Sequence, residues 1–226
     1  MSCKREKKNK KHILGLKYLF YDFVKVTAAL PSLLFIRPRR YYESKEAKKK
    51  IKGGAIVIAN HVEFLDPVKM HCVLWYRRLY FLAVKDLFAT GLKKWFFSGV
   101  LCLPVDKENF SMDTFNRVVD AAKEGHVVCI YPEGQINREE NRVGGFKSGV
   151  ILMALKSKVP VVPIYCPKSR GIFHMNYAVI GEPVDIGKIC GEIPNMEAVE
   201  KASEYLRNKE KQLIQIYKDR RKINDD

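Results

Sequence analysis

Six short apolar runs, at 55–59, 79–84, 100–105, 127–131, 161–166 and 177–180, alternate with helical stretches near 67–76, 86–98, 111–124 and 147–157. Strand-like runs separated in this way by helices specify a single α/β domain with a largely parallel sheet flanked by helices. A last long helix, about 196–221, sets Val199, Ala202, Leu206, Leu213, Ile214 and Tyr217 along one stripe. That stripe is expected to cover an edge or flank of the sheet. At 226 residues the chain can bury one sizeable core and carry an appendage. Nothing repeats internally, and no Gly/Ser-rich or Pro-rich linker divides it.

The run Ala55 to Ala59 leads directly into Asn60-His61-Val62-Glu63-Phe64-Leu65-Asp66-Pro67. On a regular helix, residues five apart do not face each other. The residue before a proline is steered away from the α region, however, and proline favours the first position of a helix. His61 to Asp66 therefore reads as an irregular turn with a helix starting at Pro67. Such a turn can bring an imidazole and a carboxylate together as a base and its orienting partner. The plain alternative is that Asp66 only caps the helix and His61 is an ordinary satisfied polar residue. Ligands of open α/β sheets bind beyond the carboxyl ends of strands. Asn60-His61 and Tyr131-Glu133 both occupy such ends.

Tyr131-Pro132-Glu133-Gly134 follows the run 127–130, and Gly99 to Lys107 and Val159 to Ile164 complete a series of four blocks. In order and spacing these blocks resemble the glycerophospholipid acyltransferase family, whose best-known members acylate lysophosphatidic acid. The family's first motif, Asn-His-x-x-x-x-Asp, is complete at Asn60, His61 and Asp66. Of its third, Phe-Pro-Glu-Gly-Thr-Arg-Ser, Tyr131 to Gly134 keep the first half, whereas Gln135, Ile136 and Asn137 replace the second. The second motif ends in Lys107 where the family has arginine. The likeness covers roughly residues 50–185.

The resemblance implies transfer of an acyl group from a thioester, acyl-CoA or acyl-acyl carrier protein, to an alcohol. His61 is then the general base, and Asp66 holds its tautomer and stabilises the imidazolium that forms. The acceptor hydroxyl is itself the nucleophile, and the chain has no G-x-S-x-G elbow. Asn60, Lys85, Lys107, Glu133, Gly134 and Arg138 are the expected substrate-binding residues. Glu133 belongs to the acceptor site, and Gly134 lets backbone approach a ligand. Lys85, Lys107 and Arg138 supply charge for a phosphate in place of the missing motif arginine. Each of the three has an ordinary solvated reading as well, and for Lys107 and Arg138 the two readings weigh about the same. No cofactor and no metal site are expected. Two alternatives stay open: a different lysolipid acceptor, and a lipid-binding membrane protein with weakened turnover.

Six scattered cysteines form no C-x-x-C pair and no metal spacing, which fits a reducing, cytoplasmic location. The formal net charge is +16, and residues 1–50 hold 15 Lys or Arg against 4 Asp or Glu. A basic arm suits nucleic acid or an anionic membrane. The strongly apolar, aromatic segment Ile13 to Ile36 behind it, and the lack of any nucleic-acid-binding signature, decide for the membrane. Its charge-free part, Val26 to Ile36, is eleven residues and contains Pro31, shorter than the roughly 20 a spanning helix needs. Upstream, Leu16, Leu19, Phe20, Phe23, Val24, Val26 and Thr27 face one way, and Lys17, Tyr18, Tyr21, Asp22 and Lys25 the other. An amphipathic anchor lying in the cytoplasmic face of the membrane is expected, entering, turning at Pro31 and returning. Packing of this helix on the protein's own core is the alternative. Residues 1–45 are thus assigned to the basic arm and anchor, and 46–226 to the acyltransferase domain.

Overall fold

The computed structural model describes residues 18–106, 110–137, 148–169, 176–191 and 195–225. Seven strands form one sheet: β1 (Pro38–Tyr42), β2 (Ala55–Ala59), β3 (Leu79–Val84), β4 (Cys102–Val105), β5 (Val127–Ile130), β6 (Val161–Tyr165) and β7 (Asn176–Ile180). Their spatial order is β1-β7-β6-β2-β5-β3-β4. The five strands from β6 to β4 run parallel. At the other end β7 is antiparallel to β6, and β1 follows β7. The α/β expectation with a largely parallel sheet holds.

The middle strand, β2, is buried at all five positions. Ile56 and Ile58 face one layer, with Val118 and Val119 of α4 (Met112–Lys123), Ile151 and Ala154 of α5 (Gly149–Ser157) and Leu206 of α7 (Met196–Asp225). Ala55, Val57 and Ala59 face the other, with Met70 and Val73 of α2 (Asp66–Val73). A strand covered on both faces must be apolar throughout, which is why this run shows no alternation. Local signals set the helix ends. The Ser111 hydroxyl accepts the Thr114 N–H at the start of α4, and Pro67 stands in the first turn of α2. Two further helices, α3 (Gly91–Gly99) and α6 (Ile186–Cys190), complete the described elements.

The N-terminal segment departs from expectation in three ways. Residues 38–42 form an edge strand of the sheet, so the domain reaches into the stretch assigned to the anchor. Helix α1 (Leu19–Ile36) does not turn back at Pro31 but runs on through it. A π-helical turn, Lys25–Ala29, precedes the proline, and the Thr27 and Ser32 hydroxyls bond the carbonyls of Phe23 and Ala28. The wider turn thus stands directly before a ring that cannot donate an N–H to the carbonyl four residues back.

Third, the face of α1 that packs on the domain is the polar-aromatic one. The Tyr21 hydroxyl accepts the Leu79 N–H at 2.9 Å and lies 3.2 Å from His71 Nδ1. The Tyr18 hydroxyl is 3.2 Å from His126 Nε2 and 3.3 Å from the Tyr80 hydroxyl. Arg78 donates twice to Asp22, and Lys25 Nζ donates to the Arg77 carbonyl. The apolar stripe faces outward: Leu19, Phe23 and Val26 are about 60% exposed. By length and composition α1 could cross a membrane.

Candidate active site

His61 leaves the carboxyl end of the central strand, and the chain then turns sharply into α2. The turn is built on one carboxylate oxygen. Asp66 Oδ2 accepts the N–H of Val62 at 2.7 Å and that of Glu63 at 2.9 Å, and meets His61 Nδ1 at 2.9 Å. With Nδ1 donating to Asp66, His61 Nε2 carries the free lone pair. Burial pushes the Asp66 carboxyl up. The His61 hydrogen bond, the Glu63 and Val62 amides and the Lys69 charge outweigh it and hold the group below the usual aspartate value.

A second cation, unforeseen from the sequence, stands behind the dyad. Lys69, one turn into α2 and 3% exposed, places Nζ 3.3 Å from Asp66 Oδ1. It also pairs with Glu63 Oε1 and donates to the Pro167 carbonyl at 3.2 Å. Burial raises the Glu63 carboxyl, but Lys69 and the Ser169 hydrogen bonds bring it below its ordinary value. The signal was present: Asp66 and Lys69 have the i, i+3 spacing that faces side chains on a helix.

Asn60, expected in the substrate site, is instead committed to structure. Its amide donates to the Cys166 carbonyl and accepts the Cys166 N–H, both at 2.8 Å, and the residue is 5% exposed. Together with Lys69–Pro167 and the Ser169 N–H bonded to Glu63, it ties the His61–Asp66 turn to the segment after β6.

The Pro-Glu-Gly turn after β5, the strand beside β2, closes over the histidine. The Tyr131 ring stacks on His61 with centroids 4.3 Å apart. The Gly134 N–H bonds the Tyr131 carbonyl, and φ is +68° at Gly134, a conformation that suits glycine. The Asn137 N–H donates to the His61 carbonyl at 2.7 Å. Burial raises the Glu133 carboxyl above its ordinary value, against the lowering effects of the Asn137 side chain, the His61 charge and the His61 backbone N–H. Glu210 of α7, 5% exposed, is pushed up to about 8 by burial and by the charge of Glu133. Glu133, Gly134 and the dyad thus come together around His61.

The expected cations are placed differently. Lys85 opens a short 3-10 turn after β3 (Lys85–Phe88) and pairs with Asp106 at 3.1 Å rather than with a dyad residue. Lys107 and Arg138 lie outside the described residues. Among the described residues no group of three or more His, Cys, Asp or Glu is placed to hold a metal ion. The five described cysteines are free.

This arrangement can take a proton from a hydroxyl at Nε2 and stabilise the resulting imidazolium through Asp66. The comparisons with known proteins agree on the class. The chain is 27% identical to the 1-acyl-sn-glycerol-3-phosphate acyltransferase of Streptococcus pneumoniae over 194 residues, 82% of this chain and 70% of the relative. It is 26% identical to the enzyme of that name from Bacillus subtilis over 166 residues, 71% of this chain and 81% of the relative. The crystal structure of the 1-acyl-sn-glycerophosphate (LPA) acyltransferase PlsC from Thermotoga maritima shares the fold, with a TM-score of 0.60 at 18% identity, covering 94% of this chain and 98% of that one. The family model described as Acyltransferase matches residues 39–167. That span is more than half of the chain and encloses the dyad, its lysine and the Pro-Glu-Gly turn, so this chain belongs to the acyltransferase family and is an acyltransferase enzyme.

Proposed function

We propose that the enzyme moves a fatty acyl group from an acyl thioester to the free hydroxyl of a lysophospholipid, converting lysophosphatidic acid to phosphatidic acid. The observation that carries this reading is the 2.9 Å contact of His61 Nδ1 with Asp66 Oδ2, which leaves Nε2 as a base at the carboxyl end of the central strand. The acceptor O–H gives its proton to Nε2 as its oxygen attacks the thioester carbonyl carbon. The tetrahedral intermediate collapses by breaking the C–S bond, and the imidazolium returns the proton to the thiolate of CoA or of the carrier protein's prosthetic arm. The acceptor follows the names of the two bacterial relatives. Phe64 and Leu65, 80% and 54% exposed within the catalytic turn, offer an apolar surface to acyl chains.

The enzyme works at the membrane, with α1 lying in the interface rather than crossing it. Asp22 and Lys25 are held on the domain, so the first turns of α1 cannot leave it to span a bilayer, while the outward stripe of Leu19, Phe23 and Val26 suits lipid. A cytoplasmic orientation fits the basic arm.

A lysolipid without a terminal phosphate is the second acceptor reading, favoured by the exposed Ile136 at the motif's arginine position. Purified protein incubated with labelled acyl-CoA or acyl-acyl carrier protein and a panel of lysolipids, with products identified by mass spectrometry, tests donor and acceptor together. Phosphatidic acid as the principal product, lost in His61→Ala by a factor of about 10² or more, is the expected result. Full turnover in a folded His61→Ala protein would remove the base assignment. If Ile136→Arg increases activity on lysophosphatidic acid over the parent, the natural acceptor is the other one.

A further inference from the structure

Helix α3 buries none of its residues, although it carries Leu92, Trp95, Phe96 and Phe97. At about 100° per residue, Leu92, Trp95, Phe96 and Gly99 fall within one narrow arc. A helix of a soluble domain turns such an arc to the core. This one turns it out, with Leu92 77%, Trp95 59% and Phe96 40% exposed.

The arc is joined to α1. The Phe20 ring lies 4.6 Å from Trp95 and 6.0 Å from Phe96, centroid to centroid. Gly99 makes room for it, since a Cβ there would stand 2.5 Å from Phe20 Cδ1. Around Phe20 on α1 stand the exposed Leu19 and Phe23. The two outward apolar faces therefore meet at Phe20 to form one surface.

We infer that α3 is a second membrane-seated element, which places Leu92, Trp95 and Phe96 at the boundary between headgroups and acyl chains of an anionic bilayer. This rests on the reading of the enzyme as one whose acceptor and product are bilayer lipids. Charge selects the occupant. Lys93 and Lys94 accompany the apolar arc, and α3 carries no acidic residue. These cations attract anionic headgroups, whereas a second copy docked on the same face would bring like charges together. Tryptophan at the arc suits the interfacial depth. Two helices held rigidly through Phe20 and Gly99 would set the tilt of the domain on the lipid surface.

The chain has two tryptophans, so Trp75→Phe in the full-length protein leaves Trp95 as the sole reporter. On vesicles of mixed phosphatidylcholine and phosphatidylglycerol, Trp95 emission is expected to shift to the blue and to be quenched by brominated acyl chains. Leu92→Asp combined with Phe96→Asp should weaken vesicle binding at least tenfold, with acyl transfer to detergent-dispersed lysolipid unchanged. Flotation of the protein with Trp95 unquenched would overturn the role of α3 while the membrane reading stands. Failure of the parent protein to float would remove the membrane reading itself. A dimer in light scattering that the double aspartate variant dissolves, with Trp95 unquenched, would reassign the face to self-association.

Discussion

Lys69 Nζ stands 3.3 Å from Asp66 Oδ1, and both side chains are almost wholly buried. The Asp66 carboxylate thus has the imidazole on one oxygen and a cation beside the other. Lys69 is a positioning residue: it balances Asp66 and Glu63 and anchors both to the Pro167 carbonyl.

Lys69→Met leaves Glu63 and Asp66 without their shared cation. With that charge gone, less positive charge opposes protonation beside Asp66, so the acid limb of the kcat/KM profile should move to higher pH. Because stranding buried carboxylates destabilises by about 3–5 kcal/mol, the Lys69→Met, Glu63→Gln double variant is the companion: it removes one charge of each sign and should recover part of the thermal stability and return the acid limb part of the way. An unmoved acid limb in folded Lys69→Met would reduce Lys69 to a packing role.

Asn60→Ala removes both bonds to Cys166 and strands a buried N–H and carbonyl. A loss of about 2 kcal/mol or more in urea unfolding is expected. Activity should fall through kcat, because the amide holds the turn that carries His61 and contacts no reacting atom. A change confined to KM would point to the substrate role first assigned to it.

The Tyr131 hydroxyl is buried without a hydrogen-bond partner among the described residues. Tyr131→Phe keeps the ring stacked on His61 and deletes the unsatisfied group. The variant should therefore be at least as stable as the parent, by up to about 1 kcal/mol, with kcat within about twofold. A large loss of activity in the folded variant would mean that the hydroxyl meets substrate.

His71, where Tyr21 docks, is lowered from 6.5 to about 4, by burial first and then by Lys25. The fold binds it neutral, so the unfolded chain takes up the proton first. The stability that this group contributes is complete above about pH 6.5 and is lost progressively down to pH 4. Denaturation midpoints measured between pH 7 and 4.5 should fall more steeply for the parent than for His71→Phe. Parallel curves would show that His71 charges freely in the fold.

Sequence alone determined the α/β class, the positions of six of the seven strands along the chain and the His61–Asp66 pair, because these depend on local signals. Apolar runs, Pro67 after Asp66 and a Pro-Glu-Gly turn act within a few residues. The seventh strand, Pro38–Tyr42, was hidden because Arg39 and Arg40 make an edge strand look like a flank of charge. Tertiary structure alone decided the partners of residues far apart in the chain. Asn60 meets Cys166, 106 positions away, and Asn137 meets His61, contacts that follow from which strand ends lie side by side. It also decided which face of α1 turns inward. Periodicity separates an apolar from a polar stripe, but Tyr18, Tyr21 and Asp22 could face the domain only because Tyr80, His126, Leu79 and Arg78 supply polar partners there. A hydrogen-bonded polar face is as buriable as an apolar one, and that leaves the apolar stripe outward.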